Sequence, residues 1–100
     1  MPPSGDIIIT QGDNQGGGPR QLTQIPISAY YAGDVVYVTF VDDIGLVDIT
    51  IEEVSNGVIL QTSVNSSTLS AILPLNVSSG EFYIYFVLST GAEYEGYFII

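Results

Sequence analysis

The chain predicts an all-β protein, an antiparallel β-sandwich of about seven or eight strands. Three observations carry that expectation. From residue 25 onward, runs of apolar and β-branched residues recur at short, regular spacing between turn residues. No segment sustains the period of an amphipathic helix. Of the 100 residues, 46% are hydrophobic and 12% charged, enough carbon for a folded core although the chain has no cysteine to staple it. Many strands joined by short connections fit a sandwich better than other architectures.

Taken in order, residues 1–20 predict a short edge strand at Ile7–Ile9, then a flexible Gly-rich loop over 11–19 with Arg20 after its Gly-Pro. They belong to the same domain as the sandwich of residues 21–100. A strand at 25–32 turns at Gly33-Asp34 into 35–41, whose apolar character on both faces predicts a central strand. "DDIG" (42–45) makes the next turn. In 46–53, Val47, Ile49 and Ile51 share one face, and Asp48, Thr50 and Glu52 the other. "SNG" (55–57) predicts a hairpin, because Asn-Gly tolerates the positive φ angles of a type I′ turn. Strands follow at 58–64 and, after the polar turn 65–68, at 69–75. Pro74 there predicts a strand end or a sheet edge. "NVSSG" leads to 81–88, "STG" (89–91) turns the chain, and 92–100 closes it. No repeat and no second domain is visible.

The segments "PRQLTQIPISAYYAGDVVYVTF", "VDITIEEVSNGVILQTSVN", "SSGEFYIYF" and "GAEYEGYFII" resemble, in their order, a family of small exported Bacteroidetes proteins of unknown function. That family has an Arg ahead of a Pro-Ile-Ser-Ala-Tyr strand and a Ser-Gly-Glu-aromatic step into the penultimate strand. It closes on Tyr-x-Gly-x-Phe, here Tyr94, Gly96 and Phe98. The resemblance spans roughly residues 19–100. It implies an immunoglobulin-like sandwich in an exported, periplasmic, secreted or cell-surface protein, and carries no active residues to transfer. A weaker similarity links the Ser-Gly-Glu-aromatic step to the C-terminal tails of type IX secretion, which usually follow a large cargo domain and are rich in lysine.

Charge excludes several classes of partner. Eleven carboxylates face the single Arg20, with no lysine or histidine, for a formal net charge of -10. Phosphate backbones and anionic lipid heads are repelled, so no nucleic acid and no acidic membrane surface is expected as a partner. Cations, neutral glycans and basic proteins remain open. No apolar run is long enough to span a bilayer. Residues 1–20 have neither a basic start nor a long apolar stretch, so no signal peptide is expected within this chain.

Catalysis is not expected. Without Cys, His or Lys, a serine has no imidazole or amine to activate it, and only paired carboxylates could do acid–base work. Glu52 and Glu53 point to opposite faces of one strand, while Glu93 and Glu95 share a face that is most simply solvated. No cofactor is expected. A metal could only be held by hard oxygen ligands, which points to calcium and argues against zinc or copper. If the strands simply run up and down, the loops at 42–45, 65–68 and 89–91 meet at one end and gather Asp42, Asp43, Asn65, Ser66 and Thr90. No calcium-loop spacing is present, so Asp42 and Asp43 are weak candidates and turn formation explains them better. Asn65-Ser66-Ser67 and Asn76-Val77-Ser78 match the N-glycosylation pattern, which a bacterial source would leave silent.

The aromatic residues hold the remaining signal, since seven of the eleven fall in residues 79–100. Counting by two puts Phe82, Ile84, Phe86 and Leu88 on one face of the penultimate strand, with Tyr94, Gly96, Phe98 and Ile100 on one face of the last. These faces pair to build the core. The opposite faces carry Tyr83, Tyr85 and Tyr97 beside Glu93 and Glu95. Tyrosine's strand propensity explains such a strip without any ligand. The functional alternative is a surface that packs on a protein or stacks on sugar rings. The expectation is therefore an exported, non-enzymatic binding or structural module. An interaction or adhesion domain leads, ahead of a glycan-binding module on the same tyrosines or a secretion or anchoring tail. Exposed edges such as Ile7–Ile9 could mediate dimers, and the oligomeric state stays open.

Overall fold

The computed structural model of the chain describes residues 4–11, 25–77 and 79–100. Among the described residues there are nine strands: β1 (Ser4–Ile7), β2 (Ile9–Gln11), β3 (Ile27–Ala32), β4 (Val35–Phe40), β5 (Leu46–Glu53), β6 (Gly57–Asn65), β7 (Ser70–Pro74), β8 (Glu81–Leu88) and β9 (Glu93–Ile99). A single turn of 3-10 helix, Ser66–Thr68, precedes β7. The strands form two antiparallel sheets, a four-stranded one ordered β1-β3-β4-β7 and a five-stranded one ordered β2-β9-β8-β5-β6. The pairs β3–β4, β5–β6 and β8–β9 stay within one sheet while the other connections cross between sheets, so a simple up-and-down order does not hold.

The period-two pattern sets the layering. Val47, Ile49 and Ile51 of β5 are fully buried, as are Phe82, Ile84 and Phe86 of β8, and Val36, Val38 and Phe40 face them from β4 with at most 2% exposure. Burying each such side chain stabilises the fold by about 1.5–3 kcal/mol relative to leaving it in water. Ring stacking of Phe82 on Phe98 (centroids 5.1 Å apart) ties β8 to β9 within the five-stranded sheet, and stacking of Tyr31 from β3 on Phe98 (5.7 Å) joins the two sheets. β4 is central in its sheet, and β7 ends at Pro74 on the sheet edge. At that position the missing N–H of proline costs no ladder bond.

Two local expectations are corrected. The Ile7–Ile9 stretch is the junction of two strands in different sheets: Ile7 pairs with Ala29 in one, and Ile9 with Gly96 in the other. Both flanking isoleucines point into the core while Ile8, 77% exposed, carries the chain across the edge of the sandwich. The 53–57 hairpin is not type I′. Asn56 keeps a negative φ and donates its N–H to the Glu53 carbonyl (3.2 Å), so only Gly57 at φ 86° takes the left-handed conformation. A three-residue connection results, and β6 gains a bulge opposite Ile51 and Glu52. The predicted Gly-rich loop, apart from Gln11, lies outside the described residues, as does Arg20.

Candidate functional site: the tyrosine face

The outer face of the five-stranded sheet is built from alternate residues of β5, β8 and β9, and the pairing register fixes which of them are neighbours. Glu52, Tyr83 and Tyr97 form one row across the three strands. The next row runs Thr50, Tyr85, Glu95 and, on β2, Thr10. Beyond it come Asp48, Val87 and Glu93, and at the other end Glu81 pairs with Ile99. Adjacent strands lie about 4.8 Å apart, so side chains along each row are within contact range.

The three predicted tyrosines come together. The rings of Tyr83 and Tyr85 stack at 6.1 Å with 20° between their planes, and those of Tyr83 and Tyr97 meet at 5.1 Å and 50°. Tyr83 is 39% and Tyr97 42% exposed, while Tyr85 is half-buried between them and the carboxylates. A shallow concavity of about 240 Å³ adjoins the cluster, lined by Ile8, Thr10, Tyr83, Glu95, Gly96 and Tyr97.

Five carboxylates ring these aromatics: Asp48, Glu52, Glu81, Glu93 and Glu95. Three of them bias the hydroxyls. Partial burial first, and then the charges of Glu52 and Glu95, push the Tyr85 phenol above its usual range. Tyr97 donates a hydrogen bond to Oε1 of Glu81, and that bond is the main reason its pKa is raised. The only basic side chain in the sequence is Arg20, so no lysine or arginine among the described residues offsets this negative field.

The loops at 42–45 and 65–68 also meet, as predicted, but their geometry is that of a structural clamp. Ser66 is fully buried. Its hydroxyl accepts the N–H of Ile44 (2.7 Å) and lies 2.8 Å from the Gly45 carbonyl and 3.2 Å from the Asp43 carboxylate, either of which takes its proton. Asp43 also accepts the N–H of Gly45 (3.2 Å), and Asn65 caps the 3-10 turn through the N–H of Ser67 (3.0 Å). From the third loop it is Ser89, not Thr90, that docks, donating its N–H to the Leu46 carbonyl (3.1 Å). Asp42 is exposed. Among the described residues, no group of three or more His, Cys, Asp or Glu is arranged to hold a metal ion. Glu52 and Glu53 are both half-buried neighbours on β5, with Glu53 accepting from the Asn56 side chain (2.7 Å).

One aromatic pair escaped the sequence reading. Tyr30 and Tyr37 stack at 5.0 Å on the outer face of the four-stranded sheet, in a row running from Asp6 to Ile72. Counting by two outward from the Gly33-Asp34 turn would have found it, since the turn sets the register that puts the two rings opposite each other. This row has only one carboxylate, Asp6.

Comparison with known proteins identifies the architecture. A family described as "Domain of unknown function (DUF3244)" matches residues 7–100. A crystal structure of a DUF3244 family protein from Bacteroides vulgatus ATCC 8482, with an immunoglobulin-like beta-sandwich fold, superposes with a TM-score of 0.77 at 14% sequence identity. The match covers 98% of this chain and 99% of that one. A search of curated proteins found no match. No helix among the described residues is long and apolar enough to cross a membrane.

Proposed function

Because the chain belongs to the DUF3244 family of immunoglobulin-like sandwich domains, we propose that it is an exported, non-enzymatic interaction module whose partner is a protein bound on the tyrosine face. One observation carries the proposal: Tyr83 packed against both Tyr85 and Tyr97 at the centre of an outer sheet face, with Tyr83 and Tyr97 about 40% exposed. Tyrosine favours interfaces because its ring buries area at low entropic cost while its hydroxyl keeps a polar partner. Val87 and Ile99, both exposed on the same face, extend the apolar contact area. The lack of Cys, His and Lys removes the thiol, imidazole and amine from which the usual nucleophile–base pairs are built, which supports the non-enzymatic part. Export rests on the resemblance drawn from the sequence.

A glycan reading has one observation in its favour. The near-parallel rings of Tyr83 and Tyr85 form a small platform of the kind on which sugar rings stack. The test is a comparison of three proteins: the native chain, a Tyr83→Ala/Tyr85→Ala variant, and a Tyr30→Ala variant on the opposite sheet. Each is exposed to a glycan array and to envelope proteins of the organism that encodes the chain, with retained proteins identified by mass spectrometry. The protein reading expects a retained protein that the Tyr83/Tyr85 variant loses and the Tyr30 variant keeps, with the array silent. Glycan binding lost in the same variant would transfer the face to the sugar reading. Retention indifferent to Tyr83 and Tyr85 would remove the face from the account.

A further inference from the structure

We infer that the tyrosine face takes a basic segment, a stretch of partner protein bearing arginine or lysine side chains. The inference rests on the reading of this face as an interaction surface and adds the chemistry of what it binds. The face is an aromatic centre inside a carboxylate rim: Glu52 beside Tyr83, Glu95 beside Tyr85, Glu81 bonded to Tyr97, and Asp48 and Glu93 flanking Val87. A cation seated on a tyrosine ring is attracted by the ring's quadrupole, and carboxylates at the rim hold the same charge at longer range. Guanidinium suits both, because it stacks flat on aromatic rings and pairs with carboxylates through two parallel bonds.

Charge complementarity excludes the other occupants. A second copy of this chain would set two acidic rims against each other, each belonging to a chain of formal charge -10. An anionic lipid surface or a nucleic acid meets the same repulsion. A bare divalent cation lacks a nest, because no three carboxylates converge among the described residues. Among the described residues no lysine or arginine neutralises the rim. A partner's cations would relieve repulsion already stored on this face, which favours association and speeds encounter.

The test titrates the full chain with hexa-arginine, followed by backbone amide shifts at about 20 mM and about 200 mM NaCl. The shifts should map to β5, β8 and β9, and affinity should fall severalfold at the higher salt, where screening is strong. Glu52→Gln/Glu95→Gln should weaken binding by about fivefold, in line with two exposed ion pairs. Asp34→Asn/Asp42→Asn, remote from the face, should leave affinity within about twofold. These substitutions are on the surface and leave the core intact, so the melting temperature checks folding independently. Equal weakening in both variants would mean diffuse attraction to an acidic protein and would overturn the inference, as would shifts centred elsewhere. If a retained partner survives Glu52→Gln/Glu95→Gln but not Tyr83→Ala, the tyrosine face stands and its basic partner does not. If Tyr83→Ala changes neither hexa-arginine nor partner binding, both readings fall.

Discussion

Gly96 and Ser66 show how much a single position can carry, and how unevenly the sequence announces it. Gly96 was legible as part of the Tyr-x-Gly-x-Phe ending, but not its reason. A Cβ there would lie 2.9 Å from both Ile7 Cγ2 and Ile9 Cδ1, and 3.1 Å from the Ile8 carbonyl oxygen. Those atoms belong to the segment that crosses from sheet to sheet, so the glycine is what lets it pass. Gly96→Ala should therefore cost about 1–3 kcal/mol, the usual effect of overpacking, read as a lower urea midpoint. Ser66 looked like one polar residue among several in a Ser-rich turn. Its burial depends on two distant loops meeting, which no local pattern encodes. Ser66→Ala removes the acceptor for Ile44 N–H and the donor to Gly45, and should destabilise by about 1–3 kcal/mol in the same measurement.

At the scale of elements, β5, β8 and β9 were legible almost residue by residue. Each alternates strictly, and one face must be buried, so period two leaves a single register that keeps the apolar set inward. The tyrosine face follows from that register alone. The N-terminal strands were less legible, because three isoleucines in a row do not reveal that the middle one points outward while the chain changes sheets. The strands also predict an alkaline response. The phenols of Tyr85 and Tyr97 are raised in the folded state, by burial with the Glu52 and Glu95 charges in one case and by the Glu81 bond in the other. Their protonated forms are thus favoured by folding. That contribution is complete below about pH 10, the unperturbed tyrosine value, and is lost as pH rises through their raised values. Urea midpoints should fall as pH rises above about 10, and Tyr85→Phe should shrink the fall, because phenylalanine has no proton to lose.

On the scale of the whole molecule, the sandwich was legible and the strand order was not. Alternation identifies strands and their faces, but the choice of neighbours depends on how the crossing connections pack. The shared end of the loops survived this error, since successive strands reverse direction whether or not they lie in one sheet. The molecule's charge gives a further prediction. With eleven carboxylates against one arginine, self-repulsion opposes the compact state and salt should relieve it. The melting temperature should rise between about 10 mM and about 150 mM NaCl, and a fall would show that favourable ion pairs dominate instead.

The central claim is that this sandwich meets its partner through Tyr83 and its neighbours and not through the opposite sheet. Photo-crosslinking tests it most directly, with p-benzoylphenylalanine replacing Tyr83 in one strain and Tyr30, similarly exposed at 44% against 39%, in another. The account predicts a discrete protein adduct from position 83 in the native organism and none from position 30. Adducts from position 30 with none from position 83 would contradict it.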